Sequence, residues 1–261
     1  MTRRCFFVPE VGEKAGSFDL PPRLSRQLET VLRAKAGESI ELLDANGCTR
    51  ECLITAVHRG SVTVSVVGKV NRPACESPLS LTLGMGIGRP DTMDLIVRQA
   101  TEMGVSRLAV FRSLRSQYGL AGKPAEKKKE RWSRIASEAV CQCGRTSPPE
   151  IILFEDLANF VTSLEDYQVG CDLKIFALER EPCARPKSLA GKTAHRPIHR
   201  IAAALGPEGG WDNSESSALI EAGFESVSLG PRTLRMETAA VALISSIQLF
   251  WGDMGDGLSR T

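Results

Sequence analysis

The sequence has few aromatic residues and lacks a long unbroken apolar run. Phe, Trp and Tyr make up 5% of its 261 residues, so a core of ordinary size has to be mostly aliphatic. The longest apolar stretch, residues 239–251, is interrupted by Ser245, Ser246 and Gln248 and is too short to cross a bilayer. The apolar run near the start ends at Pro9, too early for the core of a signal peptide. We therefore expect a cytoplasmic protein without a membrane segment.

Charge excess, metal motifs and a histidine-based catalytic motif are also missing. The formal net charge is +2, which excludes a histone-like polycation but leaves room for local basic faces. Among eight cysteines, Cys141 and Cys143 are close, but C-x-C is not the paired C-x-x-C spacing of a zinc site. We expect reduced thiols and no metal. Because the three histidines form no recognisable catalytic constellation, no general base is assigned.

Residues 1–72 have the pattern of a small β-rich domain. Apolar and polar residues alternate from residue 39 to residue 70, with turn signals at residues 44–47 and 59–60. Short strands at this spacing favour a small barrel. Residues 25–38 precede the strands and predict one short helix ending near Gly37. Residues 71–78 contain two prolines and little periodicity, so the domain boundary is predicted there.

Residues 73–261 alternate between strand and helix patterns, which predicts a parallel α/β sheet. Asp91 is positioned to cap the helix that follows it, and Gly104 to end that helix. Residues 184–200 carry five Lys or Arg and two His without an acidic residue, and we expect a flexible loop there.

Two glycine-rich loops follow predicted strands near the C-terminus, at Gly206–Gly210 and at Gly230–Arg232. In an open parallel sheet, ligands bind beyond the carboxyl ends of the strands. Glycine allows close backbone approach and proline fixes φ, so these loops predict rigid pockets lined by backbone, suited to a neutral base and a ribose. Neither has a Walker sequence, and "GMGIGRP" at residues 84–90 departs from the dinucleotide fingerprint. The alternative interpretation is a pair of tight strand-to-helix turns.

The loops "LGPEGGW" and "SLGPRTLRMETA" closely resemble the C-terminal signature of the SPOUT methyltransferases, and more narrowly the RsmE family, which methylates N3 of a uridine in small-subunit (16S) ribosomal RNA. The stretches "MDLIVRQATEMGVSRLAVF" and "KKERWSRIASEAVCQCGRTSPPEI" resemble that family too, the second with a Q-x-G-R turn at Gln142, Gly144 and Arg145. The resemblance covers nearly the full length. The chain departs from it at Arg89, where lysine is common, and at Cys141, where glutamate is common.

This resemblance implies a PUA-like RNA-binding barrel at residues 1–72 and a trefoil-knotted α/β methyltransferase domain at residues 73–261. It also implies S-adenosylmethionine as cofactor, ribosomal RNA as substrate and a homodimer whose subunits share the active site. The cofactor residues carried over from the two loops are Leu205, Gly206, Glu208, Gly209, Gly210, Leu229, Gly230, Leu234, Thr238 and Ala239.

Methyl transfer to uracil N3 needs stabilisation of negative charge on the ring oxygens, and arginine suits this because it stays protonated and offers a planar set of donors. Arg235 and Arg145 are the catalytic candidates; a structural salt bridge is the alternative for each. The predicted RNA contacts are Arg3, Arg4, Arg33, Lys35, Lys128 and Arg131.

Three alternatives stay open at this point. One is a SPOUT methyltransferase that acts on another RNA base or on ribose. Another is a non-catalytic RNA-binding factor in ribosome assembly, although the intact glycines of both loops argue against it. The last is a nucleotide-phosphate enzyme that uses "GMGIGRP".

Overall fold

The computed structural model describes residues 4–13, 16–70, 75–166, 170–179 and 184–255. The chain divides into two compact units. The first comprises Met1–Glu76 and Ser137–Pro148, and the second comprises Ser77–Ala136 and Pro149–Thr261. The boundary predicted between residues 72 and 73 lies in residues 71–74, outside the described residues.

The first unit is β-rich, as the alternating pattern predicted. Its described strands form a sheet in the order β1-β3-β4-β5-β2, with parallel pairing of β1 and β3 and antiparallel pairing elsewhere. The two predicted turns join β3 to β4 and β4 to β5, and Gly47 and Gly60 take positive φ there. The strands are β1 Cys5–Phe7, β2 Ser17–Asp19, β3 Ser39–Leu43, β4 Thr49–His58 and β5 Ser61–Val70.

The helix of the first unit differs from the prediction at both ends. A 3-10 segment covers Pro9–Glu13, and the α-helix α1 at Pro22–Arg26 continues as a π-helical turn at Gln27–Val31. Arg33 follows with φ of 49°, a left-handed conformation that ends the helix before Gly37. Leu28 is fully buried among Ile40, Leu42, Ile54 and Val64, so this short helical segment contributes to the core of the first unit.

The second unit confirms the predicted α/β architecture with a parallel sheet. Its described strands pair in the order β11-β9-β10-β6-β7-β8, and each pairing is parallel. The strands are β6 Ser80–Gly86, β7 Arg107–Phe111, β8 Glu150–Phe154, β9 Leu173–Ala177, β10 Arg200–Leu205 and β11 Glu225–Val227. The helices are α2 Pro90–Glu102, α3 Lys123–Cys143, α4 Leu157–Asp166, α5 Pro186–Thr193, α6 Asn213–Glu221 and α7 Met236–Phe250.

Strand β10 shows how the sheet separates two cores. Ile201, Ala203 and Leu205 point into an aliphatic cluster, whereas Ala202 and Ala204 point into a second cluster on the other face. The second cluster contains Phe111, Phe154, Phe160, Phe176, Trp211 and Phe224. The expectation of a mostly aliphatic core therefore holds for the first cluster, although Trp132 and Trp251 are buried in it, while six aromatic residues collect on the other face of the sheet.

Two local expectations were wrong. The predicted loop at residues 184–200 contains helix α5, whose Leu189 is fully buried and whose Thr193 hydroxyl accepts a hydrogen bond from Trp251 Nε1 at 3.0 Å. Helix α2 is capped at Arg89 rather than Asp91, because Pro90 occupies its first position, where proline fits a helix best. Asp91 lies in the first turn instead. Within the described residues, each helix falls short of the length and apolar character that a bilayer crossing needs.

Candidate active site

The main pocket of the second unit lies at the carboxyl ends of β9, β10 and β11. Its volume is about 660 Å³, within the range of ordinary small-molecule sites. Both predicted glycine loops line it, although β9 separates their strands in the sheet. Nine of the predicted cofactor residues lie on its wall: Leu205, Gly206, Glu208, Gly209, Gly210, Leu229, Gly230, Leu234 and Ala239. Thr238 is exposed on α7 and is not part of this wall.

The loop after β10, Gly206–Gly210, is a tight turn closed by the Gly210 N–H, which donates to the Pro207 carbonyl at 2.8 Å. Gly210 has φ of +69°, which L-side chains rarely adopt. A Cβ on Gly206 would stand 3.2 Å from the Trp211 ring, and one on Gly209 would stand 3.1 Å from Arg115 Cβ. The turn therefore needs glycine for its backbone angle at one end and for close packing along its length.

The same turn is fixed to the start of α2. Glu208 Oε1 accepts a hydrogen bond from the Arg89 N–H at 2.8 Å, and the Glu208 carboxylate fills the space where a Cβ of Gly88 would lie. A carboxylate at a helix N-terminus also interacts favourably with the positive end of the helix dipole. Glu208 thus braces the loop after β10 against the start of α2.

The glycines of "GMGIGRP" have packing roles. A Cβ on Gly84 would overlap the Phe160 ring at 2.4 Å, and a Cβ on Gly86 would stand 2.7 Å from Pro207 Cδ. With the Glu208 carboxylate beside Gly88, the segment presents an anion where a phosphate would have to bind. These contacts remove the support for a nucleotide-phosphate site at residues 84–90.

The loop after β11 forms the opposite wall. Gly230 has φ of +126°, and its carbonyl accepts a hydrogen bond from the Ser228 hydroxyl at 3.3 Å. The chain then reaches Arg235, the N-cap residue of α7, whose carbonyl accepts from the Ala239 N–H at 2.8 Å. Arg235 is exposed and lines the pocket, as does Arg232. The start of α7 thus places an arginine at the pocket.

Trp211 joins this site to the aromatic core. Its Nε1 donates to the Ala177 carbonyl at the end of β9, at 2.9 Å, and its ring contacts Phe111 and Phe176 at centroid distances of 6.1 and 6.3 Å. Because the indole is largely buried and its polar atom is satisfied, Trp211 holds the ends of β9 and β10 at a fixed separation.

Helix α6 begins beside the pocket with a capping box. Asp212 accepts from the Ser214 N–H at 3.1 Å, and Glu215 accepts from the Asp212 N–H at 3.1 Å. Hydrogen bonds from the Ser214 N–H and hydroxyl, with the Arg115 guanidinium nearby, lower the pKa of the Asp212 carboxyl. Asp212 is therefore an acceptor here rather than a proton donor.

Arg145, the second catalytic candidate, lies in the first unit and does not line the pocket. Its side chain is 5% exposed, and its Nε donates to Glu76 Oε2 at 2.9 Å. The other Glu76 oxygen accepts from the Thr146 N–H at 2.8 Å. Burial raises the pKa of the Glu76 carboxyl, but the hydrogen bonds from Arg145 and Thr146 outweigh burial and bring that pKa below its usual value. This geometry matches the structural salt bridge that the sequence left as the alternative.

The predicted RNA contacts lie on both units. Arg4, Arg33 and Lys35 are exposed on the first unit, and Arg3 falls outside the described residues. On α3, Lys128 Nζ donates to the Gly119 carbonyl at 2.6 Å, and Arg131 Nε pairs with Asp94 at 2.8 Å. The two α3 side chains therefore have protein partners.

Several wall residues were missed by sequence reasoning. The largest group is Ala177, the last residue of β9, with Leu178 and Glu179 directly after it. These residues end a segment, "LKIFALE", that has a strand pattern in the sequence, and the carboxyl ends of parallel strands meet at one edge of the sheet, so they could have been found. Arg89, Thr92 and Arg115 also line the pocket; Arg89 lies in the segment "GMGIGRP", whereas no local motif marks Thr92 or Arg115.

Comparison with known proteins agrees with this geometry. Residues 75–248 match the family described as RNA methyltransferase domain. The ribosomal RNA small subunit methyltransferase E of Bacillus subtilis is 27% identical over 238 residues, which cover 90% of this chain and 91% of that protein.

Two solved structures are similar over almost the whole chain. A methyltransferase structure from Legionella pneumophila, determined with the cofactor SAM bound, has a TM-score of 0.86 at 26% identity and covers 97% of this chain and 100% of its own. The ribosomal RNA small subunit methyltransferase E of Neisseria gonorrhoeae, bound to S-adenosyl methionine, has a TM-score of 0.81 at 30% identity. The match covers 97% of this chain and 99% of that one.

The parallel sheet, the pocket at its carboxyl edge and the matched residues 75–248 together define the class of RNA methyltransferases. Within this class, the chain is similar over almost its full length to a ribosomal RNA small subunit methyltransferase E, at 30% identity. The chain belongs to the family of ribosomal RNA small subunit methyltransferase E.

Proposed function

We propose that this protein transfers a methyl group from S-adenosylmethionine to N3 of a uridine in small-subunit ribosomal RNA, in the cytoplasm. The observation that carries the proposal is that both glycine turns and the end of β9 enclose one pocket, whose size suits a nucleoside cofactor. Two relatives of high structural similarity are described as bound to this cofactor. The trefoil knot that the resemblance implies stays a prediction.

The cofactor is held mainly by backbone groups in this proposal. Gly206, Gly209 and Gly210 on one side and Leu229 and Gly230 on the other bring main-chain amides and carbonyls to the pocket surface. Leu205, Leu234 and Ala239 supply apolar wall for the base and the ribose. Glu208 holds the first turn in place through Arg89, so its contribution to cofactor binding is to position the loop.

Methyl transfer from a sulfonium to nitrogen is an in-line displacement. The bond from N3 to the methyl carbon forms as the bond from sulfur to that carbon breaks, and sulfur leaves as a neutral thioether. The N3 proton is lost to solvent before the displacement, which places negative charge on the flanking ring oxygens until the new bond forms. Alignment of the three atoms and exclusion of water are therefore the main tasks of the site.

Arg235 is the residue that we assign to charge stabilisation. A guanidinium offers a planar set of donors, and the position of Arg235 at the start of α7 is fixed by the backbone of that helix. A donor placed before the reaction where charge develops is commonly among the largest contributions to such a rate. Arg145 stays a prediction for catalysis; its buried pair with Glu76 supports a structural role.

We further propose a homodimer. Helix α7 buries Leu243, Ile244 and Ile247 in the core, yet leaves Leu249 51% exposed, and Leu95 on the neighbouring α2 is 38% exposed. Exposed leucines on two adjacent helices offer apolar surface for the subunit contact that the resemblance implies. Light scattering of the purified protein gives its mass in solution.

The test of the proposed reaction combines binding with product mapping. Calorimetric titration is expected to show saturable S-adenosylmethionine binding with one site per chain. Small subunits from a strain lacking the gene should then gain N3-methyluridine when the protein and the cofactor are added. Failure of both experiments would return the chain to the alternative of a non-catalytic RNA-binding factor. Binding with a different methylated nucleoside would instead move the target to another base or to ribose.

A further inference from the structure

A tight turn at Ser113–Ser116 follows β7 at the carboxyl edge of the sheet. The Ser116 N–H donates to the Ser113 carbonyl at 3.0 Å, and the Ser113 N–H donates to the Ser116 hydroxyl at 3.2 Å. Leu114 and Arg115 are the two central residues. We call this segment the β7 turn.

The β7 turn is anchored by a buried carboxylate. Glu215, which is 7% exposed, accepts from the Ser113 hydroxyl and from the Leu114 N–H, both at 2.9 Å. Ser113 itself is 1% exposed. Because one buried side chain accepts hydrogen bonds from both the Ser113 hydroxyl and the Leu114 N–H, the backbone of Leu114 is held in place.

The side chain of Leu114 contrasts with this rigid backbone, since it is 71% exposed. A single exposed leucine is common on protein surfaces. The centre of a tight turn, however, is usually occupied by Gly, Pro, Asn, Asp or Ser, which satisfy the backbone. A large apolar residue there, with its amide fixed by a buried carboxylate, gains little from packing. The stability of the fold therefore does not account for a leucine at position 114.

The turn stands at the rim of the pocket. Arg115 lines the pocket, and its guanidinium lies 3.5 Å from the Gly209 carbonyl and 3.3 Å from Asp212 Oδ2. Arg112, directly before the turn, is exposed. The exposed side chain of Leu114 is thus flanked in the sequence by two exposed arginines, and the second of them, Arg115, contacts the glycine turn that we assign to the cofactor.

We infer that the β7 turn contacts the RNA strand that carries the target nucleotide, with Leu114 packing against a base and Arg112 and Arg115 facing phosphates. RNA segments recognised by proteins are commonly unpaired, with exposed base faces beside charged backbone. Aliphatic side chains are known to insert between bases, and arginine contacts position a strand by its phosphates. This inference rests on the proposed function and adds residues that determine substrate recognition.

The experiment compares Leu114→Ala with Leu114→Met and with Ile220→Ala. Ile220 on α6 is 57% exposed and lies outside the pocket wall, so its variant controls for loss of any exposed aliphatic side chain. Methylation of small subunits from the gene-deleted strain gives KM and kcat, filter binding gives RNA affinity, and calorimetry gives cofactor affinity. We expect Leu114→Ala to raise the KM for the subunit and to weaken RNA binding about fivefold or more, because most of the apolar side chain that packs against a base is removed. Cofactor affinity should be unchanged, and Leu114→Met should recover most of the RNA affinity.

Two outcomes would overturn the inference. One is wild-type KM and RNA affinity in Leu114→Ala. The other is a loss of RNA affinity that accompanies a change from dimer to monomer in light scattering, since Leu114 would then contact a second copy. If the wild-type protein binds RNA without methylating it, the proposed function fails, and the filter-binding comparison still decides the role of Leu114.

Discussion

The backbone N–H of Arg89 donates to Glu208 Oε1 at 2.8 Å, which ties the first turn of α2 to the glycine loop after β10. The two residues are 119 positions apart in the chain. A ligand in the pocket would therefore contact a loop whose position depends on a helix from the other end of the second unit.

Replacement of Glu208 tests this brace. Glu208→Ala should weaken S-adenosylmethionine binding roughly 3- to 10-fold, because one hydrogen bond of about 1 kcal/mol no longer holds the loop. Glu208→Gln keeps an acceptor oxygen and should bind nearly as the wild type does, whereas a ligand contact that needs the charge would be lost in both variants. Calorimetry measures the affinities; equal losses in Ala and Gln variants would contradict a purely positioning role.

Arg235→Ala should lose about 10²- to 10³-fold in kcat, the range for removal of one donor to a developing anion. The thermal transition should stay unchanged because Arg235 is exposed. Single-turnover methylation of small subunits measures the rate. Arg196→Ala is the matched control, since Arg196 is exposed and is not part of the pocket wall. Wild-type turnover by the Arg235 variant would remove this residue from the mechanism.

Gly86→Ala should displace the loop after β10, because the new Cβ would stand 2.7 Å from Pro207 Cδ and 2.9 Å from its nitrogen. We expect cofactor affinity to fall by about 10-fold or more while most of the fold persists, since overpacking commonly costs 1–3 kcal/mol. Gly191→Ala is the control, because nothing lies within 4 Å of its added Cβ and it occupies helix α5. An unchanged cofactor affinity in Gly86→Ala would show that the loop adjusts freely.

Glu76→Gln tests the buried pair with Arg145 through pH. The pKa of Glu76 is lowered in the folded state, so its stabilisation is present above the unfolded-state pKa and is lost as pH falls through the folded-state pKa. At pH 7 the variant should unfold more easily by about 1.5–3 kcal/mol, the range for hydrogen bonds to charged groups. The difference from wild type should shrink as the solution is acidified. Chemical denaturation at pH 7 and near pH 3 measures it; a difference that grows in acid would contradict this assignment.

Sequence patterns predicted the features that depend on neighbouring residues. The turn after β10 was predicted from its glycines and proline, and the second sheet from the alternation of strands and helices. Helix α5 was missed because Leu189 is its only leucine and is the side chain that it buries in the core. Residues 186–193 therefore lack the repeating apolar positions that mark an amphipathic helix. The contacts of Glu208 with Arg89 and of Glu76 with Arg145 join residues distant in sequence, and a local pattern has no means of pairing them.

Helix α3 supplies residues to both units, because the first unit is completed by Ser137–Pro148. During synthesis on the ribosome, the strands of that unit emerge long before the Thr146 N–H and the Arg145 guanidinium that bind Glu76. The last native contacts of the first unit therefore form only after more than half of the chain has been synthesised. A fragment that stops at residue 76 would lack them altogether, so this unit is not a detachable module.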